Sequence, residues 1–284
     1  MKHGVLIQSE QLHGADLVSF AQQLETLGYE TLWLPELFGR EPVATAGYLL
    51  GRTERLNLGT GIANIYVRDA HALAQTRQTL CELSEGRFVL GLGVSNAGLV
   101  GSRGHTWQAP IKKMGVCLKT LNSIRVESPK PAHLGPIYIA AHGPQLQDLA
   151  SKEANGVITY LMPPEHTARS RERIGSQTKL LTAAMFLAET DASVAREKAR
   201  KALAYYVTLD YYHREWRKLG FEDGDFVYGG SDRLIDMLVA WGDEDTLQAR
   251  LQAYTQAGAD SVIVLPIGGL DATSTPVLSM LASQ

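Results

Sequence analysis

Residues 55–94 read RLNLGTGIANIYVRDAHALAQTRQTLCELSEGRFVLGLGV. The runs at the two ends of this stretch, 55–62 and 87–94, are strand-sized and nearly continuous in apolar residues, as is typical of parallel strands covered on both faces. Between them, apolar residues recur at helical spacing over 70–84, and Asp69 precedes them as a candidate N-cap. The stretch therefore predicts a strand, a helix and a second strand.

The same alternation continues along the whole chain. Eight short apolar runs alternate with helical stretches, at 4–8, 30–34, 55–62, 87–94, 136–140, 156–160, 180–188 and 260–266. Eight such units match a (β/α)8 TIM barrel, which typically takes about 250 residues. An open doubly wound sheet normally carries a Gly-x-Gly-x-x-Gly turn after its first strand, and residues 8–14 contain no such array. We therefore predict an α/β barrel.

The composition excludes several classes of protein. The chain has 284 residues, is 45% hydrophobic and carries a formal net charge of −3, so it has ample apolar surface for a core and is not disordered. No apolar run approaches the roughly 20 residues of a membrane helix, and the first apolar run is too short for a signal peptide. No lysine or arginine run indicates binding to nucleic acid or a membrane. With two cysteines we expect no disulfide framework, and we expect a cytoplasmic protein.

We predict one domain over 1–284, because the sequence shows no linker or internal repeat. Two regions depart from the alternation. Residues 93–110 form a loop rich in glycine, serine and asparagine, and 210–230 are dense in aromatic residues. Loops of this length in a compact barrel usually serve as lids or walls of a functional site.

The active site of such a barrel forms at the carboxyl ends of the strands. These positions are rich in glycine and poor in the usual catalytic residues, and the chain contains no Gly-x-Ser-x-Gly, His-Glu-x-x-His or Cys-x-x-Cys motif. The eight histidines are scattered, so we predict no metal site. An enzyme with so few reactive groups of its own usually relies on a cofactor.

Four segments resemble the luciferase-like monooxygenase superfamily and, within it, the coenzyme F420-dependent oxidoreductase branch. They are LNLGTGIAN at 56–64, LCELSEGRFVLGLG at 80–93, WLPELFGR at 33–40 and PIYIAAHGP at 136–144. The resemblance extends over essentially the whole chain. It implies a (β/α)8 barrel that holds a flavin or a 5-deazaflavin in its mouth, in agreement with the strand count.

The resemblance also implies the places where the cofactor would bind. A non-proline cis peptide between Gly61 and Ile62 would lie against the middle ring; the alternative is an ordinary strand end. Four residues precede a helix that starts near Pro144, and their amides would suit the cofactor phosphate, unless they form a plain loop. These four residues are Ala140, Ala141, His142 and Gly143.

Two positions are candidates for catalysis. Glu36 stands where relatives carry an acid near the ring, although the histidine that many relatives place beside it is Leu37 here. Asn96 aligns with a glutamate that donates a proton in a sugar-phosphate dehydrogenase branch, and asparagine cannot carry a titrating proton. That acid–base role does not transfer, and we do not expect a sugar phosphate as substrate.

Other side chains could complete the site or serve only in turns or on the surface. Polar or small residues that could contact the cofactor are Asn64, Gly93 and Ser95. Arginines that could meet the charged tail of F420 are Arg40, Arg103 and Arg169. Aromatic residues between 205 and 216 could line a substrate pocket, or belong to the core or a dimer contact.

The sequence as a whole predicts an oxidoreductase that transfers a hydride between coenzyme F420 and a small organic substrate. The alternatives are a monooxygenase that uses reduced FMN, supplied by a separate reductase, and a non-catalytic flavin-binding protein. We also expect a homodimer, because barrels of this family commonly pair through helices near the second and third strands.

Overall fold

The computed structural model describes residues 3–268 and 276–282. The parts of the predicted domain at 1–2, 269–275 and 283–284 lie outside the described residues. The strands are β1 (Gly4–Leu6), β2 (Thr31–Leu34), β3 (Asn57–Thr60), β4 (Ala63–Asn64), β5 (Phe88–Gly93), β6 (Ile137–Ala140), β7 (Gly156–Tyr160), β8 (Lys179–Ala188), β9 (Val239–Gly242) and β10 (Ser261–Pro266).

Eight parallel strands form a closed ring in the order β1, β2, β3, β5, β6, β7, β8 and β10. Strand β10 closes the ring because it pairs with β8 on one side and with β1 on the other. These eight strands correspond to the eight apolar runs, so the predicted (β/α)8 TIM barrel is confirmed.

Two short strands were not predicted. Strand β4 follows β3 after two residues and pairs with the end of β5, where Asn64 is the partner of Gly93. Strand β9 pairs with the extended end of β8, with Ala240 opposite Phe186. Its apolar residues continue directly from the preceding helix, which ends at Leu238, and no turn residue separates the two elements. The sequence pattern therefore gave no sign of a separate strand.

Helices cover the outside of the barrel. Within the described residues they are α1 (Gly14–Thr26), α2 (Pro42–Leu50), α3 (Ala70–Leu83), α4 (Ala97–Ser102), α5 (Pro110–Ser123), α6 (Pro144–Glu153), α7 (Pro164–Ile174), α8 (Ala192–Leu203), α9 (Asp210–Arg217), α10 (Asp232–Leu238), α11 (Glu244–Gln256) and α12 (Pro276–Met280). Among these helices, none combines the length and the apolar character needed to span a membrane.

Local chemistry determines where several helices begin and end. Asp69 caps α3, as predicted, by accepting a hydrogen bond from the Ala72 amide at 2.8 Å. Asp191 caps α8 by accepting from the amides of Ser193 and Val194. Gly258, two residues beyond α11, has a φ of +99°, a conformation that glycine adopts without a steric penalty.

The two regions outside the alternation are partly helical. We predicted a loop over 93–110, but α4 lies within it, because the Asn96 side chain caps this helix at the Leu99 amide. The aromatic region 210–230 begins with α9. Short helices therefore build part of the wall around the open end of the barrel.

The interior of the barrel is filled below this open end. Trp33 of β2 is 2% exposed, and a Cβ added to Gly59 would come within 2.6 Å of its Cε3 atom. Only a glycine at position 59 leaves room for the indole ring, which packs 6.3 Å from the ring of Tyr138. The packed indole fills the lower barrel, and the large cavity lies at the carboxyl ends of the strands.

Candidate active site

A cavity of about 1240 Å³ lies at the carboxyl ends of the barrel strands. Nine of the eleven residues predicted to form the site line it, so the structure brings most of them together. These nine are Glu36, Gly61, Ile62, Gly93, Ser95, Asn96, Ala140, His142 and Gly143. A smaller cavity of about 680 Å³ beside β9 and α11 is lined by none of them.

The floor of the large cavity contains the predicted cis peptide between Gly61 and Ile62. The Gly61 amide donates a hydrogen bond to the Leu34 carbonyl at 2.8 Å, which ties this step to β2. Gly93, at the end of β5, lies directly against Ile62, because a Cβ added to it would be 2.3 Å from the Ile62 Cδ1 atom. The backbone at position 93 thus leaves the space that the Ile62 side chain occupies.

Glu36 follows β2, and its side chain is only 5% exposed. Its two carboxylate oxygens accept hydrogen bonds from Nη1 of Arg68 at 2.7 and 2.8 Å, and one of them also accepts from the Asn64 amide at 2.7 Å. Arg68 binds Glu41 as well. The pattern of the sequence did not point to Arg68, which lies 32 residues from Glu36 and meets it only in the folded barrel.

Asn64 and Ala141 do not line the cavity. The Asn64 side chain is buried, and its Oδ1 accepts a hydrogen bond from the Tyr66 amide at 2.9 Å. Ala141 is buried and donates its amide hydrogen to the Ile158 carbonyl at 3.0 Å. Both residues shape the strand ends in this structure, and their predicted contact with a cofactor stays a prediction.

The amino end of α6 opens onto the cavity. Gly143 is its N-cap residue and brings no side chain to bind the free amides of the first turn. The neighbouring His142 has a buried Nδ1 atom with no hydrogen-bond partner among the described residues. Burial lowers the pKa of His142 to about 3, so the imidazole is neutral. Free amides and an unpaired ring nitrogen fit an anionic group such as a phosphate.

A carboxylate from α9 lies close to this end of α6. Oε1 of Glu215 is 3.8 Å from the position that a Cβ on Gly143 would take. Lys218, the residue just after α9, donates hydrogen bonds to both oxygens of Glu215 at 2.8 Å. The ammonium group offsets the charge of Glu215, so the carboxylate repels an anion at Gly143 less than it would alone.

Tyrosines form a wall of the cavity, which is one of the alternatives left open for the aromatic region. Five tyrosines line the cavity, and neighbouring rings among them are in contact; they are Tyr160, Tyr205, Tyr206, Tyr211 and Tyr212. Burial raises the pKa of Tyr211 to about 12 and also raises the pKa of Tyr206. These hydroxyls therefore stay protonated. The Tyr205 hydroxyl accepts a hydrogen bond from the Asn96 amide at 3.0 Å.

The three arginines predicted for a charged cofactor tail do not line the cavity. Arg40 donates to the Leu12 carbonyl at 2.6 Å, Arg103 donates to the carbonyl of Leu37, and Arg169 lies on the exposed side of α7. Within 3–268 and 276–282, the lysine or arginine that does line the cavity is Arg214 of α9. Nothing in the sequence pattern distinguished it from the arginines around it.

The barrel, its cavity and the cis peptide agree with the comparison of the whole chain with protein families. The family model described as luciferase-like monooxygenase matches residues 1–261. The chain belongs to the luciferase-like monooxygenase family. The expectation drawn from the four sequence segments is therefore confirmed.

Individual members of the luciferase-like monooxygenase family show how the chain relates to known enzymes. The 5,10-methylenetetrahydromethanopterin reductase of Methanolobus tindarius is 24% identical, over 89% of this chain and 90% of its own length. Because the family and this relative are enzymes, the chain is an enzyme of the luciferase-like family, and the non-catalytic alternative is not supported.

Two solved structures share the fold over nearly the whole chain. The coenzyme F420-dependent tetrahydromethanopterin reductase of Methanopyrus kandleri superposes with a TM-score of 0.74 at 18% identity, covering 99% of this chain and 97% of its own. A type II Baeyer–Villiger monooxygenase of Pseudomonas putida, in complex with FMN, gives 0.68 at 14% identity, covering 99% and 97%. At these identities the likeness shows the fold.

Proposed function

We propose that this enzyme transfers a hydride between coenzyme F420 and a small organic substrate. The cavity at the strand ends carries the proposal, because it joins a backbone floor at Gly61 and Ile62 to an uncapped helix end at Gly143. The F420-dependent reductases among its relatives favour this cofactor over FMN. When bound, a 5-deazaflavin supplies the hydride chemistry that the protein side chains lack.

The two ends of the cavity would bind different parts of the cofactor. Gly61 and Ile62 would support the ring from below, while Gly93 and Ser95 would allow it to lie close to the backbone. At the other end, the amides of the first turn of α6 and the free Nδ1 of His142 would bind the phosphate. Ala140 would contribute backbone surface between these ends.

Glu36 and Asn96 would act at the reacting end by holding and orienting groups. The ion pair with Arg68 holds the Glu36 carboxylate in place and engages both of its oxygens. Asn96 already donates to Tyr205, and its amide can orient a substrate oxygen without taking up a proton. The protonated tyrosine hydroxyls are the donors available for a proton that accompanies hydride transfer.

The substrate we propose is uncharged and largely apolar. Tyr205, Tyr206 and Leu209 line the cavity on one side, and Trp107 and Ile111 line it on another. None of these five residues carries a positive charge for a phosphorylated substrate, and Arg214 of α9 is the one described lysine or arginine elsewhere in the lining. The composition of this wall and the asparagine at position 96 therefore disfavour a sugar phosphate as the substrate.

Titration of the purified protein with F420 and with FMN, oxidised and reduced, tests the proposal. We expect quenching of deazaflavin fluorescence on F420 binding and little binding of FMN. Gly143→Asp should weaken F420 binding by about tenfold or more, a free-energy change of about 1.4 kcal/mol, because a second carboxylate would face the phosphate. Gly101→Asp, at an exposed position with nothing within 4 Å, is the matched control.

Two results would contradict the proposal. Binding of FMN alone, with oxygen uptake when reduced FMN and a substrate are supplied, would establish the monooxygenase alternative and its need for a separate reductase. Unchanged F420 affinity in the Gly143→Asp variant would remove the phosphate assignment. A homodimer, cytoplasmic location and the lack of nucleic-acid or membrane partners remain part of the proposal on the grounds already given.

A further inference from the structure

Arg214 differs from the other cations around it because it has no partner. Its side chain is exposed and lines the large cavity, and no described residue forms a hydrogen bond or an ion pair with it. Among the described residues, no other lysine or arginine lines this cavity. An arginine that faces a ligand cavity with all its donors free can bind an anionic group of the ligand.

The surrounding charges are already paired. Arg217, the last residue of α9, binds Asp223, and Lys218, which follows it, binds Glu215. Arg196 and Arg200 of α8 and Arg233 of α10 each bind an aspartate as well.

Asp210 is the acid best placed to neutralise Arg214, since it lies four residues earlier on α9 and also lines the cavity. Its carboxylate is fully exposed, and its Oδ1 lies 4.0 Å from Nδ1 of the His213 ring. The guanidinium of Arg214 is thus left free for an incoming group.

The position of Arg214 relates it to the amino end of α6. The next residue, Glu215, lies beside Gly143, so α9 passes close to the site proposed for the cofactor phosphate. A molecule with its phosphate at Gly143 and further negative groups beyond it would extend along α9. Coenzyme F420 carries a tail with negative groups beyond its phosphate, whereas the deazaflavin ring system alone carries none.

On the basis of the proposed function, we propose that Arg214 binds an anionic group in the tail of the cofactor. It would provide the positive charge that we predicted for Arg40, Arg103 or Arg169. The planar guanidinium suits a phosphate or a carboxylate, because it can donate two parallel hydrogen bonds to either group. Arg214 is then a specificity residue that favours the complete cofactor over its ring system alone.

Equilibrium binding, followed by deazaflavin fluorescence and independent of any turnover, tests this role. The probes are F420 and the same deazaflavin without its phosphate and tail. We expect Arg214→Gln to weaken F420 binding about tenfold at low salt and to leave binding of the tail-less probe unchanged. Arg214→Lys should restore part of the affinity. The wild-type preference for F420 should shrink as salt is raised.

Arg169→Gln is the matched control, because Arg169 is also exposed but does not line the cavity. Its affinity for both probes should equal that of the wild type. Equal F420 binding by wild type and Arg214→Gln, or equal weakening of both probes with a lower melting temperature, would overturn the role of Arg214. Failure of the wild type to bind either probe would instead overturn the proposed function itself.

Discussion

Gly93 is the residue on which the floor of the cavity most directly depends. A Cβ at this position would be 2.3 Å from Cδ1 and 2.5 Å from Cγ1 of Ile62, closer than real side chains approach. The absence of a side chain at the end of β5 therefore leaves room for Ile62, which lies in the connection between β3 and β4.

Gly93→Ala should push the Ile62 side chain toward the cavity. We expect F420 affinity to fall about tenfold, and the free energy of unfolding to fall by about 1–3 kcal/mol, as is usual for an overpacked site. Fluorescence titration and urea unfolding measure the two effects. Gly101→Ala, in the interior of α4 with open space around it, should leave affinity unchanged. Equal affinity of the two variants would show that Ile62 does not support the ring.

The sequence predicted some residues of the site correctly and missed others. Glu36, Gly61 and His142 were recognised because they stand at strand ends within recognisable segments, and all three line the cavity. Arg68 and Arg214 were missed, because an arginine on a loop or a helix surface has the same local signature whether or not it faces a site. Their roles depend on contacts with residues far away in the sequence.

At the scale of elements, the two regions outside the barrel alternation meet across the cavity. The Asn96 side chain caps α4 and also donates to the Tyr205 hydroxyl, just after α8. One amide thus connects the wall that follows β5 to the wall that precedes α9.

Tyr205→Phe should loosen this connection without altering the cap of α4. Because Tyr205 is partly exposed, we expect a loss of no more than about 1 kcal/mol. Amide hydrogens of α4 should exchange a few times faster, with little change in melting temperature. Tyr228→Phe, which removes the hydroxyl of a 97% exposed tyrosine, is the control. Equal exchange rates in α4 for both variants would contradict a role for the bridge.

The elements themselves were predicted well where their signals are local. The apolar runs marked the strands and Asp69 marked the start of α3 correctly, because a helix cap acts within a few residues. Strand β9 was missed because its pairing with the end of β8 is a tertiary contact.

At the scale of the whole molecule, His3 and His166 are buried in the fold, and the Nδ1 atom of His142 is buried beside the cavity. Burial lowers the pKa of His3 to about 4 and of His142 to about 3, and it also lowers the pKa of His166. In the unfolded chain each histidine takes up a proton near pH 6.5. Below that pH the unfolded state binds more protons than the folded state, so acid favours unfolding.

We therefore expect the free energy of unfolding to be nearly constant between about pH 7 and pH 8 and to fall by about 2 kcal/mol or more between pH 6.5 and pH 5. Urea unfolding at several pH values measures this change. The pKa of Asp225 is lowered from 3.8 to about 2 in the folded protein. The contribution of such a carboxylate to the free energy of unfolding is lost only as the pH falls below about 3.8, so it does not change the result between pH 6.5 and pH 5. His71→Gln removes an exposed histidine and should leave the change intact. A flat profile from pH 7 to 5 would contradict the prediction.

The sequence by itself determined the eight strands, the barrel and the family, because the alternation of strand and helix and the glycine-rich strand ends are local patterns. It also located the cis peptide and the amino end of α6. Only the tertiary structure decided which side chains face the cavity. It placed Arg68 on Glu36, Gly93 under Ile62 and Arg214 at the open end, because each of these contacts joins residues that closure of the barrel brings together.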